Sequence, residues 1–217
     1  MAEKIKKYWD IIAVFGIGLV LTILTILGIV GMIGLPFSVS ALTQTGTVGV
    51  TATVQEWLSF TVSTTSVALS PDLVTTAGGT NIANSTDITL NLGTNAASGW
   101  NVTIEGANAG LKHTDGTTLI ASVATATTTT LIAGMDPGKY GANASSIITG
   151  ATVGTYYNYW GTETVGAIHT TAQTLLSKST ANATTNVGFL KIKAAAPSTQ
   201  KPGTYNDMVT LIATSPT

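Results

Sequence analysis

The two histidines are the first residues to test for chemistry, because a metalloprotease helix needs two His one turn apart with a nearby Glu. This chain has two His, His113 and His169, which lie far apart in the sequence with no second His near either. His113 stands in a turn-like stretch, Lys112 to Asp115, where a solvated loop His is expected. The spacing therefore predicts no zinc site.

The acidic residues form no site by spacing either. They are dispersed, without the alternation of a calcium-binding loop: Asp72, Asp87, Asp115, Asp136, Glu163 and Asp207. No G-x-S-x-G elbow marks a nucleophilic Ser. A Ser-His-Asp triad assembled in space and a loop cation at Asp72 or Asp136 stay open as alternatives. We nevertheless predict no catalytic centre, no metal ion and no cofactor.

Several residues could carry or contact sugars. Four sequons are candidates for glycosylation: Asn84, Asn101, Asn143 and Asn182. Asn101 is predicted on an outward strand face and Asn143 in a loop. Four aromatic residues are candidates for stacking on a carbohydrate, although core packing is their default: Trp57, Trp100, Tyr157 and Trp160.

The composition indicates an exported β-protein. The chain has 217 residues, of which 44% are hydrophobic and only 9% are charged, and its formal net charge is −1. Thr is abundant, and Thr side chains suit half-solvated strands. There is no Arg, and the nine Lys are scattered, so no basic patch for nucleic acid is present. Because there is no Cys, a disulfide scaffold is excluded and the core must supply the stability.

The N-terminal segment is predicted to enter a membrane. Lys residues in the first ten positions precede an uncharged apolar run from Ile11 to Leu35. The run is long enough for an anchor, since about 20 residues span a bilayer. After Pro36, the small residues that end at Ala41 are typical of a signal-peptidase site. Residues 1–41 are therefore a signal peptide cleaved after Ala41 or a transmembrane segment, and everything after Ala41 is exported.

Residues 46–62 connect this segment to the β-rich part of the chain. From 47 to 54, apolar residues alternate with Thr and Gly, which predicts a strand. Its apolar face consists of Val48, Val50, Ala52 and Val54. The alternation restarts at 58–62, and neither Gln55 nor Glu56 favours the positive φ of a tight hairpin. The first strand could therefore pair within its own sheet or enter a neighbouring molecule.

Further strand candidates follow at short intervals, as in a β-sandwich. They are residues 86–92, 100–105, 117–123, 127–133, 188–194 and 204–213. Residues 141–154 are predicted as a loop, and residues 170–177 are faintly helical. Alternation predicts that the following residues face the core: Leu58, Phe60, Val102, Ile104, Leu190, Ile192, Val209 and Leu211.

Three stretches carry a resemblance: VTATVQEWLSFTVS at 50–63, TNAASGWNVTIEG at 94–106 and PGTYNDMVTLIAT at 202–214. With the exported start, they resemble secreted β-sandwich surface proteins. The nearest families are the camelysin and TasA-like biofilm-fibre proteins and, more loosely, donor-strand pilins and spore-coat or fimbrial adhesin domains. The resemblance covers most of residues 42–217. It implies a jelly-roll-like fold and, in fibre-forming members, an N-terminal strand given to the next subunit. Camelysins have been described as proteases, for which the residue spacing here offers no support.

We therefore expect an all-β protein, with a jelly-roll-like antiparallel β-sandwich over residues 42–217 after an N-terminal hydrophobic helix. The predicted function is structural and not enzymatic: a subunit of an extracellular fibre, pilus or surface coat that donates residues 46–54 as a strand. The predicted partners are further copies of the chain, the membrane through the N-terminal segment, and surface glycans. Two alternatives are a type IV pilin or archaellin-like subunit with a retained helix, and a membrane-anchored carbohydrate-binding adhesin module.

Overall fold

The structure is a computed structural model that describes residues 44–73 and 80–216. The predicted N-terminal helix and the cleavage site at Ala41 lie outside the described residues. The chain divides into two units between Ala52 and Thr53. In the described part of the first unit, residues 44–52, every residue is exposed and none belongs to a strand or helix.

The described part of the second unit is all-β. Its strands are β1 (Leu58–Val62), β2 (Ile82–Asn84), β3 (Ile88–Thr94), β4 (Trp100–Gly106), β5 (Gly110–His113), β6 (Leu119–Ser122), β7 (Thr128–Thr130), β8 (Lys139–Ser146), β9 (Ala151–Val153), β10 (Thr164–Gly166), β11 (Gln173–Lys178), β12 (Asn182–Ala195), β13 (Tyr205–Asn206) and β14 (Val209–Thr214). Strands β3 and β4 alternate buried apolar and half-buried polar residues, which is the pattern of strands covered on one face.

The strands form two sheets. The larger has ten strands and runs β1-β3-β12-β8-β6-β5-β13, with β2 paired to β12 and β10 paired to both β7 and β8. The smaller has four strands in the order β14-β4-β11-β9. All pairs are antiparallel except β6 with β8, which is parallel. The architecture is therefore sandwich-like, with a mixed larger sheet and an antiparallel smaller one.

The main core takes its side chains from both sheets. Trp100, Val102 and Ile104 of β4 are buried together with Leu90 of β3 and Leu190 of β12. A second, smaller cluster contains Val123, Leu131, Val165, Ala167 and Ala195. The predicted core residues of β4 and β12 are thus confirmed, whereas Leu58 is 37% exposed, because β1 is an edge strand of its sheet.

Two sequence predictions of local structure are wrong. Residues 141–146, predicted as loop, belong to β8 in the interior of the larger sheet. Small residues are required there because backbone passes close by: a Cβ on Gly141 would lie 2.3 Å from the carbonyl oxygen of Gly166. The faintly helical stretch contains β11, where a register shift between Thr174 and Leu176 breaks the alternation.

The predicted strand at 47–54 is also absent from the single chain. Residues 44–57 have no secondary structure, and the first strand begins at Leu58. The alternation of residues 47–54 is therefore present in the sequence without a paired strand in the structure.

Candidate functional site

A groove of about 1190 Å³ lies in the second unit, along the inner face of the larger sheet. Its lining residues come from both sheets and from the segments that follow β1 and precede β14. Its apolar lining comes mainly from the larger sheet: Ala83, Ile88, Leu111, Ile120, Leu190 and Ile192. These residues come from five different strands, so the groove is a property of the fold and of no local motif.

Strand β14 borders the groove at the edge of the smaller sheet. It pairs with β4 on one side, and among the described residues no strand pairs with its other side. Val209 and Leu211 line the groove and are half-buried, whereas Thr210 and Ile212 are exposed. This edge therefore offers free backbone N–H and C=O groups next to an apolar surface.

The segment after β1 forms another border of the groove. Ser63 donates its backbone N–H to the carbonyl of Thr89 at 2.9 Å, and Ser70 exchanges backbone hydrogen bonds with Asn84 at 2.9 and 3.0 Å. Between these points, residues 64–69 belong to no strand. Their apolar side chains pack against the core instead, so side-chain packing holds this border.

Residues 198–207 form a third border, which an ion pair attaches to the turn after β5. Lys201 Nζ contacts Asp115 Oδ2 at 2.8 Å. Asp115 Oδ1 accepts hydrogen bonds from the backbone N–H groups of Thr117 and Thr118 at 2.8 and 2.9 Å. The Lys201 ammonium and then these N–H groups hold the pKa of Asp115 well below its usual range.

His113 contacts residues 198–207 with its buried side chain. The prediction of a solvated loop His is therefore wrong. Its Nε2 lies 3.2 Å from the carbonyl oxygen of Pro202, and its ring meets the edge of Tyr205 with centroids 4.9 Å apart. A Cβ on Gly203 would lie 2.1 Å from Nε2, so glycine is needed where the chain crosses the imidazole. His113 is therefore a structural residue of the groove.

Asp207 brings a carboxyl group to the groove, on the same side of the chain as Val209. Its Oδ1 accepts the backbone N–H groups of Asn108 at 3.0 Å and Met208 at 2.9 Å. Burial raises the pKa of Asp207, although these hydrogen bonds oppose the shift. Burial and then the charge of Asp207 raise the pKa of Tyr140, which also lines the groove.

The residues predicted to contact a neighbouring subunit are all exposed: Val48, Val50, Ala52 and Val54. The exposed fractions of the three valines are 87%, 87% and 82% in chain order. Nearer to β1, Asn95 holds the chain, since its Nδ2 donates to the carbonyl of Gln55 and its Oδ1 accepts the N–H of Trp57, both at 2.8 Å. Residues 44–54, called the lead below, are thus followed directly by an anchored residue, Gln55.

The structure separates the four sequons into different environments. Asn143 is fully buried, and its Nδ2 donates to three backbone carbonyls. Asn182 Nδ2 donates to the carbonyls of Leu92 and Ala183. A glycan on either nitrogen would break these bonds. Asn84 and Asn101 are half-buried on strands, and Asn84 Nδ2 donates to the carbonyl of Ile82 at 3.5 Å. Asn143 lies in strand β8, so the prediction that it lies in a loop is wrong.

The aromatic candidates do not converge on one surface. Trp100 and Tyr157 are buried in the main core, where the Tyr157 hydroxyl donates to the carbonyl of Ala167 at 2.6 Å. Trp160 stacks on Phe189 with ring centroids 5.8 Å apart, and Trp57 is 43% exposed beside β1. Core packing accounts for two of the four residues.

The remaining polar candidates are also dispersed. His169 Nδ1 contacts the hydroxyl of its neighbour Thr170 at 3.2 Å. Within residues 44–73 and 80–216, no three His, Cys, Asp or Glu side chains come together as a metal site. In the same ranges, no helix is long and apolar enough to cross a membrane.

No protein-family model matches the chain, and no curated protein matches its sequence. The groove and the lead are therefore the features that bear on function. Two parts of this site were not predicted from the sequence: Asp207 as a groove residue, and residues 64–69. A signal for Asp207 was available, because the carboxyl group has the parity of the apolar residues Val209 and Leu211.

Proposed function

We propose that this protein is a structural subunit of an extracellular fibre, pilus or surface coat, assembled by β-strand donation. Residues 46–54 of one copy enter the groove of the next copy and add a strand beside β14. The observation that carries the proposal is the apolar groove along the unpaired edge of β14. In this proposal the sandwich is jelly-roll-like and the subunit acts at the cell surface, where it binds further copies of the same chain. It has a structural role and no catalytic one.

The groove suits a polypeptide strand better than a small molecule. Small-molecule pockets usually measure about 300–1,000 Å³, and the volume here is about 1190 Å³. One of its borders is the unpaired edge of β14, which can form a backbone ladder with any extended chain, while side-chain pockets select alternate residues. Val209 and Leu211 of β14 supply an apolar row for such side chains.

The lead has the properties of a donated strand. Residues 44–54 carry no charged residue, and alternation places its valines on one face. Fully burying one Val side chain contributes about 1.5–3 kcal/mol, so even partial burial of three would favour insertion. The 82–87% exposure of these valines in the single chain leaves this apolar area available to a partner.

Donor and groove are different parts of the molecule, so their contact is head-to-tail. A head-to-tail contact that does not close into a ring produces an open filament. The resemblance to camelysin and TasA-like fibre proteins supports the same function. Export of the region after Ala41 would place the filament outside the cell.

The test compares two chains of different length. Residues 42–217 should form filaments, and residues 55–217 should stay monomeric because the donor is missing, while Gln55 and its bond to Asn95 are retained. A peptide of residues 46–54 should bind the shortened chain with a stoichiometry of one peptide per chain, without restoring filaments.

A matched peptide in which Val48, Val50 and Val54 are replaced by Ser serves as the control and should not bind. Electron microscopy and sedimentation measure assembly, and a folded spectrum of the shortened chain excludes simple unfolding. Filaments of unchanged appearance from residues 55–217 would contradict the proposal.

A further inference from the structure

Asn143 and Lys193 lie next to each other on adjacent strands of the larger sheet. In the antiparallel pairing of β8 with β12, Lys193 is opposite Gly141 and Asn143 is opposite Lys191. Asn143 and Lys193 are therefore diagonal neighbours on one face of the sheet. Asn143 is 0% exposed and Lys193 4% exposed, so both polar groups are removed from water.

A single carbonyl oxygen joins the two side chains. Thr162 O accepts a hydrogen bond from Lys193 Nζ at 2.7 Å and another from Asn143 Nδ2 at 3.1 Å. Two more carbonyls surround Asn143 Nδ2, from Tyr159 at 3.2 Å and from Thr164 at 3.3 Å. The amine and the carboxamide are thus neighbours across one oxygen atom.

Glu163 completes the group. Its Oε2 lies 2.9 Å from Lys193 Nζ, and its side chain is 43% exposed, which gives the carboxylate a path to exchange protons with water. The Oδ1 atom of Asn143 is buried and has no hydrogen-bond partner among the described residues. A buried amide oxygen normally has a donor, so its environment is unusual for a purely structural Asn.

We propose that Lys193 and Asn143 react to form an intramolecular isopeptide bond, with Glu163 carrying protons. Glu163 takes a proton from the Lys193 ammonium, and the neutral Nζ attacks Asn143 Cγ. The Nζ–Cγ bond forms, the Cγ–Nδ2 bond breaks, and Glu163 returns the proton to the leaving nitrogen. The products are a secondary amide and one ammonia, which leaves as ammonium after taking the second proton of Nζ. No oxidant or other reactant is needed.

The surroundings favour each part of this step. A desolvated lysine beside a proton acceptor is the usual form of an activated amine nucleophile. Three carbonyl oxygens around Asn143 Nδ2 would stabilise the positive charge that develops on the leaving nitrogen. The bond would join β8 to β12 at the centre of the larger sheet, in a chain that has no Cys and so no disulfide. The inference does not depend on strand donation.

The exported, folded protein tests the proposal by intact mass and by peptide mapping. The expected mass is lower than that of the unmodified chain by one ammonia molecule. The chain has no Arg, so trypsin cleaves only after Lys. Lys193 in an isopeptide bond resists cleavage, and trypsin does not cleave between Lys201 and Pro202. Residues 140–178 and 192–217 should therefore appear as one linked product.

Variants assign the bond. Glu163→Gln, at a partly exposed position, should fold and keep the full mass, with residues 140–178 released separately. Lys191→Arg is the matched control, because Lys191 is directly opposite Asn143 but contacts Asp87 at 2.8 Å; it should keep the link.

Three results would overturn the proposal. They are a wild-type protein of full mass, a link through Lys191, and a loss of ammonia with the two peptides separate, which would indicate a succinimide at an Asn.

Discussion

The centre of the larger sheet and the lead before β1 both alternate apolar and polar residues, but they differ in strand pairing and in burial. Strand β12 is paired on both sides, with β3 and β8, and Leu190 is 1% exposed. The lead alternates as regularly, yet Val48 and Val50 are 87% exposed and unpaired in the single chain. Alternation fixes which residues share a face, but a strand also needs a partner. The lead has the face, and its partner lies, in our proposal, in another molecule.

Strand β14 is intermediate between these two regions. It has one partner strand, β4, and its inward residues Val209 and Leu211 are half-buried instead of buried. The lead therefore lacks a strand to pair with and a surface to cover its valines, and β14 lacks a strand on one edge. The following predictions test whether burial and pairing differ between these regions as described.

The largest expected effect is in the centre of the sheet. Leu190→Ala should lower the free energy of unfolding by about 2–5 kcal/mol, because it leaves a cavity in a packed core. Lys191→Ala is the control on the opposite face of the same strand. It removes a partly exposed ion pair with Asp87 and the contact of Nζ with the Trp160 ring, so its cost should be under about 2 kcal/mol. Urea denaturation measures both, and equal losses would mean that the Lys191 side chain contributes as much to stability as the buried Leu190.

The next effect concerns assembly rather than folding. Leu211→Asp places a charge in the groove and should abolish filaments, because a buried unpaired carboxylate opposes strand insertion. Ile212 is the next residue on the same strand, is 43% exposed and faces away from the groove. Ile212→Asp should therefore leave filaments intact. Both variants should remain folded by circular dichroism. Loss of filaments in both variants would show that assembly does not distinguish the two faces of β14.

The smallest effect is a difference in pH dependence between two carboxyl groups at the groove. The pKa of Asp115 is lowered, so its stabilising contribution is present at neutral pH and is lost as pH falls below its unfolded value of about 3.9. The pKa of Asp207 is raised by burial, so the folded state gains stability as pH falls through that raised value. Because Asp115 is exposed, water weakens its contribution.

Asn substitutions should therefore have opposite slopes. As pH is lowered from 7, the free energy of unfolding of wild type should fall relative to that of Asp115→Asn. Relative to that of Asp207→Asn, it should rise. Urea denaturation at a series of pH values measures both differences. Slopes of the same sign would mean that one of the two environments is wrongly described.

Part of this structure could be predicted from the sequence, because alternation at β4 and at β12 reports a strand covered on one face. Strand β8 could not be predicted, since its small residues Gly141 and Ala144 are selected by the backbone of distant residues that packs on them. Strand β11 was missed because a bulge buries Leu175 and Leu176 together. The groove had no sequence signal, because its lining residues lie far apart in the chain, from Phe60 to Leu211.

Strand donation can be tested most directly by cross-linking, because the chain has no Cys and an introduced pair would be the only thiols. A tagged Leu211→Cys variant is mixed with Val48→Cys, Val50→Cys or Val54→Cys and oxidised during assembly. Inward-facing neighbours on paired strands have Cβ atoms about 4.5–5.5 Å apart, close to disulfide distance. We predict mixed disulfide dimers for at least one valine position with Leu211→Cys and none with Ile212→Cys. No mixed dimer at any position, or equal yields with both partners, would contradict insertion of the lead beside β14.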